Sequence, residues 1–361
     1  MTTRRSFRVA DRCSIQYGWH VLLASLPALS PVIAAAHHSV AGRFDTASVI
    51  EVEGEITSVH WRSPHVEFTL AAIDESGARE SWLLEAAAPS TLIRSGLSAD
   101  VIEVGDQVRV AGWAPMTDKR EMFLQNVLLP SGEELLLWVT AQSRWSEEQA
   151  NDFAFWRQTE GDGSRPELGI FRVWSSSLAL PRRSPRRAAS DYPLTAAARD
   201  AVQAYSSGGE NLAIQACVPK GMPLIMEQPY PIEFRRNGND IALHLEEYDA
   251  VRMIDMEAEA PPPDAGRSPL GFSTGRWDGA ALVVTTRLLS WPWFSQGGIP
   301  QSPQATLTER FTPAADGSRL EYELTSVDPV NFTEPVTQDK AWLYLPDQQV
   351  RPYECTPAPA E

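Results

Sequence analysis

Three dipeptides constrain this chain more than any other feature. Asn237–Gly238, Asp278–Gly279 and Asp316–Gly317 each lie between two runs of alternating apolar and polar residues. Asn-Gly and Asp-Gly accept the positive φ angles of a tight hairpin turn, and period-two alternation puts successive side chains on opposite faces of a strand. "PYPIEFRRNGNDIALHLEEYDAVRMIDM" therefore reads as three strands. "GFSTGRWDGAALVVTTRLLSW" and "QATLTERFTPAADGSRLEYELTSVDP" read as a hairpin each, and "DKAWLYLPDQQVRPYEC" closes the set. About eight consecutive antiparallel strands with short turns predict an up-and-down, calycin-like barrel that is either filled or holds one small ligand.

Residues 46–130 are also strand-rich. "SVIEVEGEITSVHW" reads as one long strand, with Gly54 as a bulge or bend, followed by "HVEFTLAAI" and "ESWLLEA". "PSTLIRSG" reads as a short helix, capped by Ser90 and ended by Gly96. "VGDQVRVAGWAP" and "EMFLQNVLLPSG" supply two more strands. Three strands, a short helix and two strands is the order of an OB-like barrel. The expected fold class is thus mainly β, an OB-like small barrel before a larger antiparallel barrel, with few short helices.

Between them, "SEEQANDFAFWRQTE" has helical character and "IFRVWSSSLAL" reads as a strand packed on one domain. "LTAAARDAVQAYSS" reads as an amphipathic helix with Leu194, Ala197, Ala198, Val202 and Tyr205 on one face. The expected division is a leader at 1–36, an OB-like domain at 37–135, a mixed linker at 136–216 and a barrel at 217–361.

The leader assignment rests on Arg4, Arg5, Arg8 and Arg12, then the apolar stretch 18–36, broken by Pro27 and Pro31 and ending in Ala34–Ala35–Ala36. This is the layout of a signal peptide cleaved after Ala36, and it makes the expected location the periplasm. The alternative for this stretch is a membrane anchor. "TRRSFRV" partly matches the twin-arginine motif, but polar "ADRCSIQY" separates it from the apolar stretch, so both export routes stay open. The formal charge of the chain is −16, and loss of four arginines and one aspartate with the leader leaves −19. So acidic a body repels nucleic acid and anionic membranes, and no insertion into a membrane is expected once the leader is gone. Beyond the leader only Cys217 and Cys355 remain. In an oxidising compartment they would form one disulfide, closing a loop that the chain-entropy account values at about 4–5 kcal/mol. The rival assignment is a pair of free thiols or metal ligands.

Of six histidines, His37, His38, His60 and His65 lie close together in sequence. Cleavage after Ala36 would give His37 an α-amino nitrogen beside its imidazole. Such a pair chelates copper, or less selectively zinc, and His37, His38 and His65 are the expected metal ligands. Asp45, Glu67 and Glu85 are candidates to orient the rings. The alternative is a solvated terminus and a histidine that only pins a turn. In the second domain, Arg276, Trp277, Trp291, Trp293, Phe294 and Arg310 are the expected binding residues, forming a rim for a small apolar or aromatic molecule. Arg252, Thr308, Arg310 and Glu334 are further polar residues of its strands and loops, expected inside the barrel. Period two places His244, Glu246 and Tyr248 on one face, a possible proton-transfer set if that face is internal and merely solvated if it is not.

"AHHSVAGRFD", "VEGEITSVHWRSPHVEFTL", "WLLEAAAPSTLIRSG" and "VGDQVRVAGWAP" give residues 36–130 a resemblance to exported bacterial proteins of an uncharacterised family. "PYPIEF", "GFSTGRWDGAALVVTT", "LTERF" and "NFTEPV" make the second half similar to another uncharacterised group. The resemblance implies export and two β-rich domains, and no reaction. Three functions stay open: a periplasmic binding protein with a histidine metal site, a periplasmic enzyme (a cofactor-free lyase or isomerase, or a copper enzyme), and an envelope scaffold. No nucleotide-binding or nucleophile-elbow motif is present.

Overall fold

The computed structural model describes residues 43–74, 76–180, 188–208 and 217–356. The expected ligands His37 and His38, and the leader, lie outside them. The first sheet contains β1 (Phe44–His60), β2 (Glu67–Ile73), β3 (Arg79–Glu85), β4 (Gln107–Pro115), β5 (Glu121–Leu128) and β6 (Glu134–Leu136). Their order is β3-β2-β1-β4-β5-β6, and β3 also pairs with β5 in parallel, closing a ring through β1, β2, β3, β5 and β4. Alternation explains the packing. Ile56, Phe68, Leu70, Leu84 and Val110 point into one core, which Leu92 of the short helix α1 (Pro89–Arg94) covers.

The second sheet is a closed barrel of nine strands. It contains β7 (Val173–Ser176), β8 (Ile232–Asn237), β9 (Asp240–Leu245), β10 (Ala250–Asp255) and β11 (Phe272–Asp278). It continues with β12 (Ala281–Arg287), β13 (Thr306–Pro313), β14 (Arg319–Val327) and β15 (Val336–Leu343), and β7 lies between β15 and β8. The molecule is therefore mainly β, with few helices. Gly238, Gly279 and Gly317 have φ of 63°, 61° and 76°, which is why the turns carry glycine there.

Several local expectations change. The barrel is not purely up-and-down: β10 and β11 run parallel, and the proline-rich stretch 260–269 lies in the crossover between them. β7 lies in the stretch read as a strand packed on one domain, and it pairs with β15 and β8 of the barrel. Gly54 is regularly paired with Ala72 and Val108, and the register shift falls between Ile56 and Ser58. Its glycine is needed because a Cβ there would stand 2.3 Å from the Ala71 carbonyl oxygen. Ser90 does not cap α1: the cap is Ala88, and the Ser90 hydroxyl is buried inside the helix without a partner. Gly96, at φ 103°, does end it. In α2 (Ala196–Gly208), Ala198 is buried but Ala197 faces solvent. The stretch 146–160 forms no α-helix: it holds a bridge from Gln149 to Glu134 and a 3-10 turn at Ala154–Arg157.

Cys217 and Cys355 form a disulfide, with Cα atoms 5.4 Å apart. All described residues belong to one compact unit, residues 35–361. No helix among them is long and apolar enough to cross a membrane.

Candidate functional site

The end of the first sheet where β1 turns into β2 gathers charged residues. The register aligns His60 with Glu67, and Glu67 with Glu85, across β1, β2 and β3. The parallel pairing brings β5 alongside, with Glu121 opposite Leu83 and Phe123 opposite Glu85. Phe123 is fully buried against Phe44, Trp113 and Trp138, with ring centroids 5.7, 5.6 and 5.0 Å away. This aromatic wall joins the core through Trp138, and the Arg43 guanidinium lies 5.2 Å from the centre of the Phe44 ring. The His65 ring meets Phe123 edge-on at 6.1 Å.

Glu85 is the hub. It is 4% exposed, one carboxylate oxygen binds His65 Nδ1, and the other accepts from Arg43 Nη1 at 2.9 Å. Arg43 also donates to Glu121, which is equally buried. Two buried carboxylates thus share a guanidinium and an imidazole, since unpaired charges cannot be kept out of water cheaply. Burial, and then the negative charge of Glu85, holds the Glu67 carboxyl above its usual range. A carboxylate on Nδ1 selects the tautomer whose Nε2 carries the lone pair, the arrangement used to orient metal-bound histidines. Among the described residues no group of three or more His, Cys, Asp or Glu side chains is arranged to hold a metal ion. Any metal at His65 therefore takes further ligands from elsewhere.

Of the residues expected to orient the rings, Glu85 touches His65 and Glu67 is its cross-strand neighbour. Asp45 instead accepts from the backbone of Ala47 at 3.0 Å. His60 turns toward the carboxyl-terminal segment, its Nε2 3.3 Å from the Thr356 carbonyl. Sequence reasoning missed Arg43 and Glu121, although Arg43 lies only five residues after His38. Its partners come from β3 and β5, and nothing local announces a parallel pairing.

Residues 26–122 match the model of a family of unknown function, DUF6152. The DUF6152 match takes in Arg43, His65, Glu67, Glu85 and Glu121, and also His37 and His38. No curated protein matches the chain. One solved structure, that of the mitochondrial single-stranded DNA binding protein Rim1 from S. cerevisiae, is 12% identical and covers 23% of this chain and 94% of its own. Its TM-score of 0.19 is too low for the likeness to bear on fold or function.

In the second barrel the expected residues are dispersed. β9 ends at Leu245, so the period-two face holding His244 does not extend to Glu246 and Tyr248. Ile241, Leu243 and Leu245 point inward, and His244 alternates to the outer face. Burial, then Arg235, lowers its pKa. Glu246 is fully buried and takes a bidentate ion pair from Arg94 at 2.8 and 2.6 Å. Tyr248 sits at φ 61° in a 3-10 turn, its ring 5.0 Å from that of Tyr353.

The expected rim is divided between the two ends of the β11–β12 hairpin. Arg276 and Trp277 pair with Val283 and Leu282 near its turn, and Arg310 is opposite Val283. Arg310 is exposed and bound to Asp278 at 2.7 Å. Trp291, Trp293 and Phe294 follow Arg287 at the other end, about 20 Å away along a seven-residue strand. Phe294 is buried against Tyr192 and Phe332, and Trp293 packs on Tyr205. Thr308 and Glu334 are exposed.

Arg252 is internal, but its partner Glu309 was not foreseen. The guanidinium binds both Glu309 oxygens, Ser273 at 3.0 Å and Thr286 at 2.6 Å, and the Tyr322 hydroxyl donates to Glu309 at 3.0 Å. With Phe234, Phe311 and Trp342 buried alongside, these side chains occupy the interior.

Proposed function

We propose that the chain is an exported periplasmic binding protein whose metal site combines His65 with His37 and His38. Residues 1–36 would act as a signal peptide, and cleavage after Ala36 would expose the His37 amine. The observation that carries this reading is the shared carboxylate: Glu85 holds the His65 ring and also Arg43. Arg43 is six residues from His37, and six residues span at most about 22 Å. A connection of that length from Arg43 is long enough for the other two histidines to reach His65. An amine, two or three imidazoles and no thiolate favour copper over zinc.

The strand ring β1-β2-β3-β5-β4 and the position of α1 support the OB-like assignment of the first domain. The small-molecule and enzymatic readings of the second barrel draw less support, because its interior is occupied and its candidate residues are dispersed. The test is to purify the mature protein from the periplasm and record intact mass and metal content together. A start at His37 with one copper per chain, lost in H65A, is the expected result. Retention of the leader, or a protein that ignores added copper, ends the proposal.

A further inference from the structure

Residues 348–356 follow β15 as a strap that contacts helix α1, then the β9–β10 turn of the barrel, and last the turn between β1 and β2. The Gln349 carbonyl accepts from Arg94 Nη2 at 2.9 Å, and the Arg351 amide donates to Glu246 at 2.9 Å. The Tyr353 amide donates to Asp249 at 3.0 Å, and its ring packs between Tyr230 and Tyr248. Beyond Tyr353 the strap meets the turn between β1 and β2. Cys355 is bridged to Ser63, the Thr356 amide donates to the Ser63 carbonyl at 3.1 Å, and His60 lies against the Thr356 carbonyl. Ser63 is two residues from His65.

The covalent hold on this last segment is the bond from Cys355 to Cys217. Backbone strain flanks it on both sides. Cys217 has φ 61° and Glu354 has φ 46°, left-handed conformations that residues with a Cβ seldom adopt and that persist only where the surroundings enforce them. Both cysteines are half-buried, so neither is sealed in a hydrophobic core. Strained and accessible disulfides are the more readily reduced ones.

We propose that Cys217–Cys355 is a redox latch: reduction by a dithiol frees the end of the strap and loosens the His60–His65 turn, weakening metal binding at His65. A dithiol thiolate attacks one sulfur, the S–S bond breaks, and a mixed disulfide forms. The second thiol of the reductant displaces the remaining cysteine. Two electrons and two protons pass to Cys217 and Cys355, and the reductant leaves as its own disulfide. The effect on metal rests on the function proposed above, whereas the loosening of the turn does not.

Hydrogen exchange by mass spectrometry, with copper affinity by competition, tests both parts on the full mature protein. For exchange, oxidised protein is compared with protein reduced by dithiothreitol and with the C217S/C355S double variant. Copper affinity is compared between the oxidised protein and the double variant, which has no thiol to reduce or bind copper. The expected result is at least tenfold faster exchange in residues 61–66, unchanged exchange in β13 and β14, and copper affinity lowered at least tenfold. Equal exchange at 61–66 in all three samples overturns the latch, as does acceleration throughout the barrel. Faster exchange at the turn with unchanged copper affinity overturns the regulation. Faster exchange in a protein that binds no copper in any state supports the latch and removes the metal function alone.

Discussion

At the scale of residues, buried charges set the chemistry of both sheets. Glu309 and Arg252 are each at most 2% exposed and complete one another. E309Q leaves Arg252 in the barrel without a counter-charge and is expected to cost about 3–5 kcal/mol. Replacing both partners by apolar residues, R252M/E309L, removes the uncompensated charge and should cost less than either single substitution. Urea denaturation midpoints at unchanged m-value measure the difference. Glu67 gives a pH test with a definite sign. Its pKa is raised in the folded state, so the native protein holds that proton more tightly than the unfolded chain. The stabilisation is complete below the ordinary carboxylate range and is lost as pH rises through the raised value. In E67Q this decline should vanish. A fall in stability over that window that is the same in both proteins would show that Glu67 is not its source.

At the scale of elements, the sequence carried the strands well and their surroundings poorly. Alternation and the three X-Gly turns are local, so β8, β9 and the β11–β12 and β13–β14 hairpins were legible from residues a few positions apart. What alternation leaves open is which face points inward and where a strand stops. Arg310 and Thr308 read as interior candidates, yet Glu309 between them is the internal residue. The set His244, Glu246, Tyr248 failed to share a face because the chain turns at Glu247–Asp249. Helix α1 shows the same limit. Its serine has the right composition for a cap but stands one residue inside Pro89, where its hydroxyl is buried and unpaired. A capping serine would lose about 1 kcal/mol on truncation. Here S90A should be neutral or slightly stabilising, because it removes an unsatisfied buried group. Thermal unfolding of S90A decides between the two.

At the scale of the whole molecule, the candidate site was legible only in part. His65 and Glu85 were visible as chemistry, but Arg43 and Glu121 join them through the β3–β5 pairing, a contact between distant stretches. The joint between the two sheets was likewise invisible, since Arg94 and Glu246 are 152 positions apart. That joint has a consequence for unfolding. The two hydrophobic cores are separate clusters, and independent cores unfold independently unless their contacts couple them. The Arg94–Glu246 pair is fully buried and also holds the Gln349 carbonyl and the Arg351 amide of the strap. Loss of Glu246 strands a buried guanidinium and removes the Arg351 tie between strap and barrel while the Tyr353–Asp249 tie stays, so E246A should weaken the coupling more than it weakens either core. Calorimetry of the wild-type protein is expected to show one transition, and that of E246A two. A single transition in E246A, merely displaced to lower temperature, would place the coupling in the disulfide and the Tyr230–Tyr353 contact instead. The same scan on C217S/C355S then separates those two contributions, because the disulfide variant keeps both aromatic rings.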